Sequence, residues 1–342
     1  MMKAMVLRAP GDLVLDRVAR PEPGEGVLVR VTHSGICGTD FKIYSGAIPV
    51  SYPRIMGHEM VGEVADAPRG DGAGALRAGD RVIVDPELYC GACFHCRIGQ
   101  THLCPNGVLL GRDANGGFAE YVSAPASHVF RLPEAIDSRT APLIQVLTTC
   151  VHAQRQVKIF PGESVVVLGL GVTGQLHVQL AKARGASPVI GVTRSSEKRD
   201  LAGTLGADLT IPGGEHAVER VRETTEGRGA DVVIETTGVV PSLAAAINMA
   251  RFGGRLLLFG IITAKEGALP FYDLYFKELS LINARVAKSE DYPSTIALVQ
   301  RGLVRLEPLV SDVMPLGELK TAIGMLGSDN ARRMKIILDH GE

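Results

Sequence analysis

The sequence predicts an α/β chain of two domains: a β-rich domain assembled from both ends, and a doubly wound parallel sheet inserted between them. Three observations lead there. Up to about residue 150, short alternating segments are punctuated by Gly, Pro and Asp. From Ser164 onward, short apolar runs alternate with helical stretches. After about residue 285 the mixed pattern returns. The 342 residues, 46% hydrophobic and 21% charged, suit two domains of roughly 100–200 residues each. The expected boundaries are 1–150 with 286–342 for the split domain, and 151–285 for the inserted one.

In order along the chain, Val27–Val31 and Arg81–Val84 read as strands, and Ala67–Gly79, rich in Gly and Ala, as a surface loop. Leu143–Lys158 has no internal Gly or Pro and reads as a helix. Then come strand Ser164–Leu168, helix Gly174–Arg184, strand Pro188–Val192, helix Ser196–Leu205, strand Ala230–Glu235, helix Pro241–Met249 and strand Arg255–Phe259. Asp291–Arg301 and Leu316–Leu326 read as helices, and Met334–Leu338 as a last strand.

Composition excludes several classes of function. The net charge is −1, with Lys and Arg scattered, which argues against a nucleic-acid surface. No apolar run approaches the ~18 residues of a membrane span. Met1–Pro10 is too short and too mixed for a signal peptide, so a cytosolic location is expected.

The Ser164–Leu168 strand runs straight into Gly169-Leu170-Gly171-Val172-Thr173-Gly174, which fits G-x-G-x-x-G at the head of a helix. Gly169 makes the tight turn. Gly171 lets a pyrophosphate approach the backbone, and Gly174 lets helix and strand pack closely. The helix N-terminus offers unpaired N–H groups to the phosphates. A dinucleotide site is therefore expected. Its usual ribose-binding carboxylate is missing: the second strand ends in Thr193-Arg194-Ser195-Ser196-Glu197-Lys198. Thr193 would not repel a 2′-phosphate, while Arg194, Ser195 and Lys198 could meet one, so NADP(H) is expected in preference to NAD(H).

Of six cysteines, Cys90, Cys93, Cys96 and Cys104 fall within fifteen residues, spaced C-x2-C-x2-C-x7-C. Such crowding suggests a closed four-thiolate zinc site. Buried or disulfide-bonded cysteines and an iron–sulfur cluster use the same residue type. His95 and His102 read as surface histidines. Elsewhere, Cys37 and His58 lie 21 residues apart, with Glu59 adjacent. All three are zinc-ligand types, and a catalytic zinc needs three protein ligands plus an open position. Alone, the trio also fits a core cysteine and an ordinary turn.

The order of motifs carries more. Cys37-Gly-Thr-Asp40, Gly57-His-Glu-x-x-Gly62, the four-cysteine lobe, Gly116-Gly-Phe-Ala-Glu-Tyr121 and the late G-x-G-x-x-G follow one another. Over nearly the whole chain this resembles the zinc-containing medium-chain dehydrogenase/reductase family, most of all its polyol, sugar-acid and threonine dehydrogenase branch. The resemblance implies a GroES-like catalytic domain and a Rossmann domain. It implies two zincs per subunit, one catalytic and one structural. Cys37 and His58 would be catalytic ligands, and Glu59 a third ligand or one that exchanges with water. Thr39 would relay the alcohol proton. Cys90, Cys93, Cys96 and Cys104 would hold the structural ion. Lys335 matches a basic residue that approaches the pyrophosphate. Two positions depart from the family. Gln145 stands where the polyol branch has Glu, and is expected to orient a zinc-bound water or touch substrate hydroxyls. Lys42 stands where many members carry a proton-delivering His.

The expected reaction is reversible hydride transfer between a secondary alcohol and the nicotinamide, with zinc acting on the oxygen. A polyol, sugar or sugar acid is the expected substrate, and a simple secondary alcohol or diol the alternative. Tyr44 and Arg285 are candidates to line its site, although Arg285 also fits a surface role. A zinc-ribbon nucleic-acid binder and a zinc-free enoyl reductase are competing readings; the charge opposes the first, and Cys37, His58 and Glu59 the second. Family members are dimers or tetramers, so a homodimer or homotetramer is expected.

Overall fold

The computed structural model describes residues 1–68, 75–327 and 333–341; the middle of the expected Ala67–Gly79 loop lies outside the described residues. The chain divides into two compact units. One comprises Met1–Val146, Lys288–Gln300 and Val310–Glu342; the other comprises Leu147–Ala287 and Arg301–Leu309.

The first unit is built around the strand Val27–Gly35. It pairs antiparallel with Glu59–Asp66, with Tyr121–Ala124 and with the terminal strand Lys335–Asp339. The terminal strand in turn pairs with Val310–Pro315, so residues 300 positions apart share one seven-stranded sheet. Alternation buries Val27, Val29 and Val31 against Met60, Val64, Val82 and Val122. A second core joins the small sheet of Met2–Ala9, Asp12–Val18 and Arg54–Ile55 to the helix Leu319–Leu326 through Met5, Leu7, Ile43, Phe118 and Ile323.

The second unit holds six parallel strands in the order Leu209–Pro212, Val189–Thr193, Val165–Leu168, Ala230–Glu235, Ala250–Leu258, Ser280–Asn283. Numbered along the chain, this is 3-2-1-4-5-6, the Rossmann order. Strands covered on both faces need apolar residues at every position. Val166, Ile190 and Val233 accordingly enter one core, while Val165, Val167, Val189 and Ile234 enter the other. Leu209–Pro212 escaped the sequence reading because it is short and ends in Pro, which an edge strand tolerates. The segment 301–309 is strapped to this unit: Gln179 accepts from Arg305 N (2.8 Å) and donates to its carbonyl (3.1 Å). Among the described residues, no helix is long and apolar enough to cross a membrane.

Candidate active site and metal centres

Cys37 follows the Val27–Gly35 strand, and His58 precedes the strand Glu59–Asp66 that pairs with it. One ligand atom from each of Cys37, His58 and Glu59 falls within a 4.8 Å cluster. Two glycine contacts make the backbone route possible. Gly57 sits at φ +92°, and a Cβ there would strike Phe118 at 2.5 Å; a Cβ on Gly116 would lie 2.1 Å from Gly57 O. The Gly-Gly-Phe motif thus packs directly on Gly57, the residue before His58. Asp40, fully buried, accepts the Cys37 N–H at 2.8 Å, and its other oxygen lies 3.6 Å from His58 Nδ1. A carboxylate facing Nδ1 leaves Nε2 as the ring's lone-pair donor.

The pair Glu59 and Lys335 closes this pocket. Gly35 lies across from Glu59 on one side and Ile337 on the other. Its missing side chain lets Lys335 Nζ reach both Glu59 oxygens (2.7 and 2.8 Å) and Ile36 O (3.1 Å). A Cβ on Gly35 would lie 2.1 Å from Glu59 Oε2.

Charges here are strongly coupled. Burial alone would lower the His58 pKa, but Asp40, Cys37 and Glu59 outweigh it and push it up to about 10. Burial raises the Asp40 carboxyl, and His58 offsets only part of that. Burial also favours the neutral Cys37 thiol, yet the His58 hydrogen bond and charge bring it below the ordinary thiol value. Lys335 is held above the usual ammonium range: burial works against its charge, and Glu59 more than compensates. Three acidic groups thus surround one fixed ammonium, and the field asks for more positive charge. Among the described residues His58 Nδ1 and Asp40 Oδ1 are buried without a hydrogen-bond partner. This thiol, imidazole and carboxylate set fits a zinc ion, which supplies that charge while the imidazole stays neutral.

The cysteine lobe fits a second, closed site. Cys90, Cys93, Cys96 and Cys104 also cluster within 4.8 Å, and all are free thiols. Cys104 Sγ is 3.6 Å from Cys90 Sγ and 3.9 Å from Cys93 Sγ. Zinc–sulfur bonds of ~2.3 Å in a tetrahedron put neighbouring sulfurs about 3.8 Å apart. The short helix Phe94–Arg97 starts on Cys93, whose sulfur accepts Cys96 N (3.4 Å). Glu87–Leu88 and Val108–Leu109 pair at the neck of the lobe.

In the second unit, Gly169 sits at φ +88°, and a Cβ on Gly174 would lie 1.9 Å from Gly169 O. A Cβ on Gly171 would stand in open space, and no side chain caps the helix Val172–Ala183 that begins after it. That combination fits a phosphate over the loop. Thr236, which the sequence reading missed, donates to Leu168 O and Gly169 O (2.9 and 3.0 Å) from the next strand's end.

The comparisons agree with this geometry. Residues 23–134 match the alcohol dehydrogenase GroES-like domain, and 172–301 the zinc-binding dehydrogenase family. The 2-dehydro-3-deoxy-L-galactonate 5-dehydrogenase of Pseudoalteromonas atlantica is 33% identical, over 93% of this chain and 92% of that protein. The chain belongs to the zinc-containing medium-chain dehydrogenase/reductase family. Two solved structures of the family superpose closely. A zinc-binding dehydrogenase from Sinorhizobium meliloti 1021, bound to NADP, gives a TM-score of 0.91 at 32% identity over 99% of each chain. The rspB alcohol dehydrogenase of E. coli CFT073, complexed with NADH, gives 0.90 at 29% identity over 99% of each. The protein is thus a zinc-dependent, alcohol-dehydrogenase-type enzyme.

Several expected residues of this dehydrogenase stand differently from the sequence reading. Lys335, expected at the pyrophosphate, is buried with its ammonium committed to Glu59, because the Gly35 gap aims it there. Tyr44, expected to meet substrate, donates its hydroxyl to Gly11 O (3.2 Å) and packs on the core of the small sheet. The Ser195 hydroxyl, expected at a phosphate, accepts Lys198 N (3.2 Å) as helix cap and donates to Glu197 (2.9 Å). Thr39 is half-buried in the first turn of the helix Gly38–Tyr44, and Gln145 is buried in the first turn of Leu143–Val157. Thr193 ends its strand, and Arg194 and Arg285 are exposed. Asp40 was missed as a positioning residue, although it stood inside the quoted Cys-Gly-Thr-Asp.

Proposed function

We propose that the enzyme reversibly moves a hydride between a secondary alcohol, of polyol, sugar or sugar-acid class, and NADP(H). The observation that carries the reading is the cluster of half-buried Cys37 with buried His58 and Glu59 in a field that favours a cation. A zinc ion held there would act as a Lewis acid on the alcohol or carbonyl oxygen. Asp40 holds the Cys37 amide and faces the His58 ring, so both donors keep one orientation. Thr39 accepts the substrate's hydroxyl proton and passes it outward; Lys42, three residues on and on the same helix face, continues the path. Gln145 supports the substrate's other hydroxyls or a water. A second zinc, in the lobe of Cys90, Cys93, Cys96 and Cys104, contributes to folding.

The catalytic role is assigned to the first unit and the dinucleotide role to the second; these follow the expected 1–150 with 286–342 and 151–285, except that Arg301–Leu309 and a few boundary residues pack with the second unit. The absent carboxylate at Thr193 and the exposed Arg194 support NADP(H) over NAD(H). Arg285, just past the carboxyl end of the Ser280–Asn283 strand, is assigned to a substrate hydroxyl or carboxylate; the sugar-acid name of the P. atlantica relative supports that class. A homodimer or homotetramer is supported by the exposed edge strand Ser280–Asn283 beside the exposed Phe271, Tyr272, Tyr275 and Phe276. The deciding experiment is a panel of polyols, sugar acids and simple alcohols read by nicotinamide absorbance with both cofactors, alongside zinc analysis. Turnover of sugar-type alcohols with zinc present, abolished in Cys37→Ser, is expected. Preference for simple alcohols refutes the substrate class, and full activity in Cys37→Ser refutes the site.

A further inference from the structure

The turn after the Val189–Thr193 strand is braced by a residue that no motif contains. Arg199, on the helix Ser196–Thr204, points its guanidinium back at that turn. Its Nη1 donates to Thr193 O (3.0 Å) and to Arg194 O (2.8 Å). Thr193 O also accepts Gly213 N (2.9 Å) from the end of the neighbouring strand. A Cβ on Gly213 would come within 3.3 Å of Arg194 N, a tight contact, and 3.5 Å of Arg194 Cγ, so the Arg194 stem packs directly against this glycine. The helix carrying Arg199 is itself tied to the glycine loop. Gln175, fully buried, donates from one amide nitrogen to Leu170 O (3.2 Å) and to Lys198 O (2.8 Å). Among the described residues, Arg199 Nε and Nη2 have no partner.

We propose that Arg199 is a specificity-determining positioning residue for the adenosine 2′-phosphate, an inference that rests on the NADP(H) reading above. Two carbonyl oxygens in the turn that presents Arg194 would oppose an anion placed there. A guanidinium across both cancels their dipoles, adds positive charge, and fixes the backbone from which Arg194 projects. Charge near the turn is mixed. Glu197, which the Ser195 and Ser196 hydroxyls both contact, stands on the same helix start, so Arg194 and Arg199 must outweigh it. NAD(H), which lacks the phosphate, gains nothing from this arrangement. Arg199 therefore acts on the choice between cofactors rather than on the chemistry.

The test compares wild type, Arg199→Ala, Arg199→Lys and Arg199→Gln in the full-length zinc-loaded enzyme. It reads kcat/KM for NADP and NAD, and the Kd of NADPH and NADH by nucleotide fluorescence. Arg199→Ala is expected to lower the NADP/NAD ratio about tenfold or more. KM for NADP should rise, and kcat at saturating cofactor should hold. Arg199→Lys, which keeps a charge, should recover part of the ratio, and Arg199→Gln less. Should Arg199→Ala fail to fold, the Lys and Gln variants decide by the same ratio. A wild type that prefers NAD overturns the cofactor reading and this inference with it. An NADP-preferring wild type whose ratio is unchanged in the variants, or whose two efficiencies fall together, overturns this inference alone.

Discussion

Replacing Lys335 with Met tests how the pocket is held together. The Glu59 carboxylate is fully buried, and Lys335 supplies it with two hydrogen bonds at 2.7 and 2.8 Å. Met fills the same volume but strands a carboxylate in the interior. Removing one member of a buried pair costs about 3–5 kcal/mol, mostly because the remaining charge is left without compensation. At roughly 2–4 °C per kcal/mol for a unit of this size, the metal-free variant should melt about 6–20 °C below wild type. Zinc gives Glu59 another cation to face, so saturating zinc should recover part of the loss, and the gap between variant and wild type should narrow. Glu59→Gln leaves the ammonium unpaired and should cost a similar amount. The double variant Lys335→Met/Glu59→Gln should fall short of the summed losses by about 1–3 kcal/mol. The assay is thermal melting by circular dichroism with chelator and with added zinc. A metal-free Lys335→Met that melts within about 1 °C of wild type, or strict additivity in the double variant, would refute the reasoning.

Three further outcomes are expected. Burial lifts the Asp85 pKa to about 7 despite hydrogen bonds from Ser289 and the Glu87 amide. The folded state thus prefers the neutral acid. This contribution is complete below about pH 4 and is lost as pH rises through about 7. From pH 5 to 8 the wild-type melting temperature should therefore fall relative to Asp85→Asn, and parallel curves would disprove it. Cys93→Ser should lose one zinc equivalent and melt lower, since a structural ion's binding energy is folding energy; retention of two zincs with unchanged melting defeats the second site. Thr39→Val should cut kcat about 10²-fold, while Lys42→Ala has a smaller effect that added amines partly restore. Near wild-type kcat in Thr39→Val means that the proton leaves by another route.

Much of the fold was legible because its signals are local. The run Val165-Val-Val-Leu168 is apolar at every position, and both cores of the second unit draw on it alternately. The shift from these runs to the mixed texture after residue 285 likewise marked where the chain changes architecture. Leu209–Pro212 was not legible: four residues, half-buried and ending in Pro, carry no periodicity. Residue type is blind to direction: the Tyr44 hydroxyl turns to Gly11, in the turn between the first two strands. Residue type is equally silent on the Ser195 hydroxyl, which serves as a helix cap.

The sequence by itself determined the residue types that chemistry requires: the thiols, the imidazole and carboxylate of Cys37, His58 and Glu59, the glycines of the loop, and the order that marks the family. Spacing and period carry such information because they act over a few residues. Only the tertiary structure decided what each charge faces. Lys335 meets Glu59 across 276 residues because three strands lie side by side and the middle one bears Gly35 at the crossing. Asp40 turns to His58, and Arg199 to the carbonyls of Thr193 and Arg194, for the same kind of reason. Partners of buried charges are set by register and by the space a missing side chain leaves, and neither is written in any local stretch of the chain.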